Sequence, residues 1–267
     1  MVKVIFEKPS HELLKELGMM SVDMHFHSTY SDSTAKIRDI IKRSKEKGIG
    51  VAITDHNVIG GSLEAAKNIE GVMIIPGMEV SCIDGPHILL YFYSFREMKE
   101  FYEKHIKPYK GKNPFLATSL RTSELIDSTK RYNCIRVAAH PYGYLISNNG
   151  LSKAIKKTYV NEDVMRNIDG LEVICGGINR RLNKKAVFQA QYLNKAATGG
   201  TDGHSLFQLG NVLTISKANT REEFLDNIKK KRNIVIGKEV PLVPKIFPMS
   251  SLIKTHAIDY AVPTFKL

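Results

Sequence analysis

Along the chain, short runs of apolar and β-branched residues alternate with segments whose apolar positions recur every three to four residues. The first pattern predicts strands over 22–26, 49–54, 72–78, 88–93, 134–139, 170–174, 197–200 and 212–215. The second predicts helices between them. Over 34–47, Ile37, Ile40 and Ile41 fall on one face and Gly48 ends the run, while 181–195 aligns Leu182, Ala186, Ala190 and Leu193. A third helix opens at Thr220 with Glu223 three residues on, a capping-box spacing. It runs into Lys229, Lys230, Lys231 and Arg232, whose charge suits a helix C-terminus. Strands and helices in alternation predict an α/β fold of βα units around a parallel sheet or barrel.

Two segments break the rhythm. The stretch 95–132 has helical periodicity interrupted by Pro108, Gly111 and Pro114, and is long for a simple βα connection. It is expected to form a small cap over a site. After Lys238 the chain becomes proline-rich, with Pro241, Pro244, Pro248 and Pro263, and is expected to be an irregular tail packed on the body or on a neighbouring subunit. The expected organisation is therefore an N-terminal extension over 1–20, one domain over 21–238 with the 95–132 insertion, and a tail over 239–267.

Composition narrows the function classes. A chain of 267 residues with 43% hydrophobic content buries one substantial core. No apolar run reaches the roughly 18 to 20 residues of a membrane span, and the first residues are too charged for a signal peptide. A cytoplasmic product without a membrane partner is expected, and nothing in the composition specifies an oligomer. A formal charge of +12 suits an anionic partner, a phosphate ester or nucleic acid, and equally a solvated lysine-rich surface. Three cysteines, Cys82, Cys134 and Cys175, share no C-x-x-C spacing, which indicates neither a disulfide framework nor a thiolate zinc site. Any metal must be held by imidazole and carboxylate.

The nine histidines carry the strongest chemical signal. His25, His27, His56, His87, His140 and His204 lie in or beside predicted strands, mostly where the apolar run ends, which is where barrel strands converge on an active face. In 22–27, strand alternation points Asp23, His25 and His27 to one side, so two imidazoles emerge as a chelating pair. Glu79 and Glu172 also end strands, and a carboxylate there can bridge two ions. A single histidine at a strand end is more often structural, but six together with Glu79 and Asp202 point to a metal site. Such a donor set suits zinc, manganese or iron without choosing among them. Asp23 and Asp55 are expected to orient neighbouring ligands, Glu172 either to do the same or to be structural. His11, His105 and His256 fall in helix or tail contexts and read as structural. His87 opens its strand instead of closing it. A tight hairpin at Asp84 and Gly85 would bring Glu79 and His87 together but, as a two-residue turn, put them on opposite faces, and a longer turn or a bulge would reconcile them.

In order, Asp23-Met24-His25-Phe26-His27-Ser28, Thr54-Asp55-His56-Asn57, Gly77-Met78-Glu79-Val80-Ser81, His87-Ile88-Leu89-Leu90, Ala139-His140-Pro141 and Thr201-Asp202-Gly203-His204 resemble the motifs of the PHP (polymerase and histidinol phosphatase) family of metal-dependent phosphoesterases. The resemblance extends over roughly 21–238. It implies a distorted (β/α)7 barrel and two to three divalent ions, zinc, manganese or iron. By the same resemblance one ion is held by His25, His27, Glu79 and Asp202. Glu79 bridges to a second on His87 and His140, and a third lies on Asp32, His56 and His204. Ser33 stands where the family commonly has glycine after the Asp32 position, a departure that leaves the ligand itself in place.

A hydroxide shared by two such ions is a nucleophile at neutral pH, and the cluster can clamp phosphoryl oxygens. His204 or a metal-bound water is the candidate proton donor to the leaving group, with Asp202 the other catalytic candidate. Arg180 and Arg181 open a helix after the Glu172 strand, where the helix N-terminus and a bidentate guanidinium favour phosphate; solvated helix positions are the plain alternative. Lys184 and Lys185 read as surface residues. The family's activities include histidinol phosphate hydrolysis, nucleotide and nucleoside bisphosphate phosphatases, RNA-trimming exonucleases and polymerase proofreading. With no polymerase region and no room for a large cap, the expected substrate is a small phosphomonoester, nucleotides within that class. The alternatives are a nuclease acting on RNA or DNA ends and a histidinol-phosphatase-like activity.

Overall fold

The β-branched and aromatic runs form ten strands of one mixed sheet: β1 (Lys3–Ile5), β2 (Met20–Phe26), β3 (Gly50–Ile53), β4 (Ile74–Ser81), β5 (His87–Phe92), β6 (Cys134–Ala138), β7 (Gly170–Cys175), β8 (Ala196–Gly200), β9 (Val212–Ser216) and β10 (Ile234–Gly237). Their order is β1-β10-β9-β2-β3-β4-β5-β6-β7-β8 in a computed structural model that describes residues 2–67, 71–144 and 149–239. Seven strands, β2 to β8, follow chain order. Six of them run the same way, and β5 pairs antiparallel with both β4 and β6. Helices cover the outside, so the barrel strands are buried on both faces and lack a polar side.

The sheet curls until β8 reaches β2. The Asp202 backbone N–H donates to the His25 carbonyl at 2.8 Å, and the His27 N–H donates to the Gly203 carbonyl at 3.0 Å. This approach requires glycine at position 200, where a Cβ would lie 2.4 Å from the His25 nitrogen. The result is the distorted barrel that the resemblance implied. Leu89, Tyr91, Val137 and Met24 fill its interior, with the Tyr91 hydroxyl donating to the Met24 carbonyl at 2.7 Å. The helix Arg221–Lys229 packs Phe224, Leu225 and Ile228 against that cluster. Its N-cap is the one expected: Thr220 Oγ1 accepts from the Glu223 N–H, and Glu223 accepts from the Asn219 N–H.

Several expectations are corrected. β9 does not continue the parallel series: it lies antiparallel on the outer edge of β2, and β10 and β1, too short for a periodicity signal, extend the sheet beyond it. The helix Ile37–Lys47 ends at Gly48 as expected, in the left-handed conformation at φ 64°. The helix Arg180–Tyr192, however, buries Asn183, Ala186 and Ala190, while Leu193 is exposed. Asn183 replaces Leu182 on the inner face because its amide is needed there, donating to the Cys175 carbonyl and accepting from the Cys175 N–H. The stretch 95–132 holds helices Phe95–Phe101 and Thr122–Thr129 with a π-helical turn at Tyr102–Ile106 between them. The proline-rich tail beyond Glu239, with His256, lies outside the described residues. Among the described residues, no helix is long and apolar enough to cross a membrane.

Because the closure of β8 on β2 leaves no room for a methyl group against backbone, Gly200→Ala is expected to destabilise the fold by about 2–3 kcal/mol. Urea unfolding of the variant beside the parent measures this, and unchanged stability would contradict the close approach.

Candidate active site

The reversal of β5 resolves the placement of His87. Because β5 runs against its neighbours, its first residue stands at the same end as their last. Ser81 pairs with His87 and Val80 with Ile88, so the connection is the five residues Cys82 to Pro86 rather than a two-residue turn. Directly paired residues point to one side, and Glu79, two positions from Ser81, shares that side with His87. Their contact is direct, with His87 Nδ1 at 3.1 Å from Glu79 Oε1.

Strand alternation is broken in β2, where two residues, Met24 and His25, oppose the single Ala52 of β3 between Asp23 and Phe26. Asp23 therefore leaves the face shared by His25 and His27, contrary to the simple alternation, and turns to the backbone of 201–210. His25 and His27 still meet, with their Nε2 atoms 3.1 Å apart.

Glu79 is the centre of the cluster. Its Oε1 lies 3.1 Å from both His87 Nδ1 and His140 Nε2, and its Oε2 lies 3.3 Å from His25 Nε2, 3.4 Å from His27 Nε2 and 3.1 Å from His56 Nδ1. Asp202 Oδ1 faces His27 Nε2 at 3.3 Å and His25 Nε2 at 3.6 Å. On the other flank Asp32 Oδ2 sits 2.9 Å from His204 Nε2 and 3.5 Å from His56 Nε2. Every one of the nine residues expected at the metal site is thus brought into one cluster. Ligand-type atoms converge in three overlapping groups, His27, Asp32, His56 and His204; His25, His27 and Asp202; and His56, Glu79 and His87.

This donor set fits divalent ions. Glu79 Oε2 is wholly buried with three ring nitrogens within 3.4 Å, yet accepts no hydrogen bond. A buried carboxylate oxygen left so is costly, and a cation satisfies it. Imidazole and carboxylate without thiolate suit zinc, manganese or iron. No disulfide links the three buried cysteines, and the Cys175 thiol lies 3.7 Å from Asp202 Oδ2 and 3.8 Å from the Tyr144 hydroxyl.

Buried carboxylates hold the ligand-bearing loops in place. Asp55 accepts from the Ser28 N–H and hydroxyl, both at 2.7 Å, and from the Ser31 hydroxyl at 2.8 Å, fixing the loop that carries Asp32. Asp23 accepts from the Thr201 N–H at 2.9 Å, the Thr201 hydroxyl at 2.7 Å and the Gly210 N–H at 3.0 Å, fixing the loop that carries Asp202 and His204. Both therefore act on loop backbone and hydroxyls rather than on imidazole rings. Glu172 bridges two residues of the cluster: its Oε1 lies 2.9 Å from His25 Nδ1, and its Oε2 accepts from the His140 N–H at 2.7 Å.

Burial disfavours charge at all these groups, and the contacts decide which of them resist it. Against burial, His56, His25 and His87 hold the Glu79 carboxyl well below the usual range, and His204, His56 and His27 do the same for Asp32. Glu79 and Asp32 raise His56 to about 9 against its burial, and Glu172, Glu79 and Asp202 raise His25 well above the ordinary histidine value. His27, dominated by burial, drops to about 4. Asp23 and Asp55, with hydroxyl and amide donors instead of cations, are pushed up to about 6 by burial.

The arginines expected to meet phosphate are placed differently from one another. Arg180 makes a bidentate pair with Glu239, at 2.7 to 3.0 Å, and lies over the Phe6 ring at 4.8 Å; Arg181 is exposed on the first helical turn. Of the histidines read as structural, His11 and His105 lie away from the cluster, the first in the helix His11–Glu16 and the second against Phe101 and Tyr132. Tyr144 was not anticipated: its hydroxyl donates to Asp202 and its ring packs 5.2 Å from that of His140. One tyrosine four residues after a histidine carries no spacing signal, so only the fold reveals it. Asn57 and Phe115, beside His56, were missed for the same reason.

A family model described as the PHP domain matches residues 23–179, and one described as PHP-associated matches 180–233. An uncharacterised protein of Methanocaldococcus jannaschii is 29% identical over 168 residues, 58% of this chain and 81% of that protein. A 3′,5′-nucleoside bisphosphate phosphatase of Chromobacterium violaceum is 36% identical over 72 residues, 26% of this chain and 25% of that protein. Among solved structures, endonuclease Q bound to a 27-mer duplex with an abasic lesion superposes with a TM-score of 0.66 at 22% identity, covering 83% of this chain. This chain spans 60% of the endonuclease Q chain, and at that identity the likeness is one of fold. With the PHP model matching more than half of the sequence and the converged histidines and carboxylates at the strand ends, the chain belongs to the PHP domain family of metal-dependent phosphoesterases.

Proposed function

We propose that this chain hydrolyses a small phosphomonoester, with nucleotides inside that class, at a centre of two to three divalent ions. The buried Glu79 carboxylate, shared among five imidazoles and left with an unbonded oxygen, is the observation that carries the reading. His25, His27, Glu79 and Asp202 would hold one ion, Glu79 with His87 and His140 a second, and Asp32, His56 and His204 a third. When bound, the ions supply Lewis acidity toward phosphoryl oxygens and bring the pKa of water toward neutrality.

The side chains do the positioning. Glu172 fixes the His25 ring by its Nδ1, leaving Nε2 toward Glu79, and holds the His140 backbone with its other oxygen. His204, partly exposed, is oriented by the Asp202 carbonyl at 2.9 Å from its Nδ1 and turns its Nε2 toward Asp32; it would either hold the third ion or, with that ion absent, give a proton to a leaving group, but not both at once. Arg181 is the side chain left for a bidentate phosphate contact, since Glu239 occupies Arg180.

A nuclease acting on nucleic-acid ends is the second reading, favoured by the +12 charge and by the fold likeness to endonuclease Q. Part of that charge stands where it would not serve a substrate at the histidines. Lys195 donates to the Arg166 and Ile168 carbonyls and Lys231 to Asn194, just before β8 begins, so this basic cluster with Lys229, Lys230 and Arg232 gathers at the strand starts, away from the histidines. Salt-insensitive turnover of small esters by the manganese-loaded protein is the outcome expected. A steep fall of RNA or DNA affinity with salt would turn the assignment to the nuclease.

Protein purified without chelator is expected to carry about two to three divalent ions per chain. Glu79→Gln should lose at least one of them together with hydrolysis. Full metal content and activity in both His25→Ala and His140→Ala would remove the assignment. Glu172→Gln, which touches ligand residues without joining the proposed set, is expected to weaken metal affinity by about 10- to 100-fold, read by competition with a chromogenic chelator.

Loading should also expel protons. In the stripped protein His56 titrates at about 9 and His25 well above its ordinary value, so both are protonated at neutral pH and must lose that proton to bind a metal. Metal titration in buffers of different ionisation enthalpy is expected to show proton release at neutral pH, less of it as pH rises through 9, and weaker loading as pH falls.

A further inference from the structure

The irregular stretch 113–120 has its backbone fastened to two of the segments that carry the cluster. Asn57, next to His56, donates its side-chain amide to the carbonyls of Pro114 at 2.8 Å and Leu116 at 3.0 Å, and accepts from the Ser81 N–H at 2.9 Å. Thr118 gives both its N–H, at 2.9 Å, and its hydroxyl, at 3.0 Å, to the Ser81 carbonyl. Asn57 does this from a backbone φ of 54°, a left-handed conformation that asparagine tolerates better than most residues.

These bonds hold the Phe115 ring 6.1 Å from that of His56, edge to face at 85°, while leaving Phe115 44% exposed. A large aromatic side chain held half in water beside a charged cluster gains little for the fold. Single exposed apolar residues are common on any surface, but this one is fixed against a residue of the cluster, with Leu116 exposed beside it. A sugar or alkyl phosphate bound at the histidines would offer no flat apolar face to this ring.

We propose that Phe115 is a specificity-determining residue whose exposed ring stacks on a nucleobase of the ester bound at the histidine cluster. The inference rests on the phosphoesterase reading and names the part of the substrate that lies outside the ions' reach. Stacking of this kind is tolerant of base identity, so Phe115 would select nucleoside phosphates over sugar phosphates without selecting one base.

The chain has no tryptophan, so Phe115→Trp places its sole indole beside the cluster. Adenosine monophosphate is expected to quench that emission saturably, and ribose 5-phosphate, the same phosphate without a base, to leave it unchanged. A single-stranded oligonucleotide with a terminal phosphate is the third probe: quenching by it alone assigns the stacked base to a strand end, quenching by the free nucleotide to a small ester. Quenching by neither base-bearing probe, or equal quenching by ribose 5-phosphate, overturns the proposal. In turnover, Phe115→Ala is expected to raise KM for adenosine monophosphate about tenfold while changing ribose 5-phosphate by less than about twofold, with Phe115→Tyr restoring the parent value. An equal loss on both esters overturns it as well. Emission needs no turnover, so absence of hydrolysis removes the phosphoesterase reading while the quenching result still decides the stacking.

Discussion

A carboxylate with no exposure to water has to be neutralised where it stands, and Glu79 imposes that requirement on the whole strand-end face. Five imidazoles from four different segments answer it, each needing its own strand to end at the same level. A sheet of parallel strands delivers chain ends to one level naturally. It cannot deliver the two arms of a hairpin that way unless one strand runs backward, which is what β5 does. The antiparallel strand is therefore the topological condition for Glu79 and His87 to share a site.

The same site divides its carboxylates between two environments. Glu79, Asp32 and Asp202 lie among ring nitrogens, and the first two stay ionised because those rings surround them. Asp23 and Asp55 lie among hydroxyls and backbone amides, and burial pushes them toward neutrality. The first kind carries charge toward which cations can bind. The second anchors the loops after β2 and β8 with several donors each, so the ligand geometry is set by rigid strand ends and tied loops, not by long side chains alone.

Much of the site was legible in the sequence because His and carboxylate at the end of an apolar run are chemically out of place there. That signal found eight of the nine clustered residues; Asp32, in a loop, came only from the family resemblance, and His87 fitted its place only on the same ground. Direction was legible only at β5, where the short link through Asp84 and Gly85 already implied a hairpin; periodicity is the same for a strand read either way, so the reversal of β9 came only with the structure. The slip in β2 was equally hidden, since Asp23, His25 and His27 satisfy perfect alternation on paper and the fold breaks it to send Asp23 elsewhere. Asn183 facing inward in place of Leu182 has the same origin, a backbone group needing a partner, which a hydrophobic pattern does not record. Tyr144 and Phe115 sit in irregular segments, where spacing carries no information.

The contacts of the centre differ greatly in how much chain they enclose. Glu79 and His87 are eight residues apart, and the cost of bringing them together is that of one short hairpin. Asp23 and Thr201 are 178 residues apart, and their bonds form only when the last barrel strand has returned to the first. The hairpin half is thus a local structure available early in folding, whereas the seam between β8 and β2 is strongly non-local. Cluster residues come from both sides of that seam, so ions bound there would tie the free energy of binding to barrel closure and act as a clasp on a long-range join.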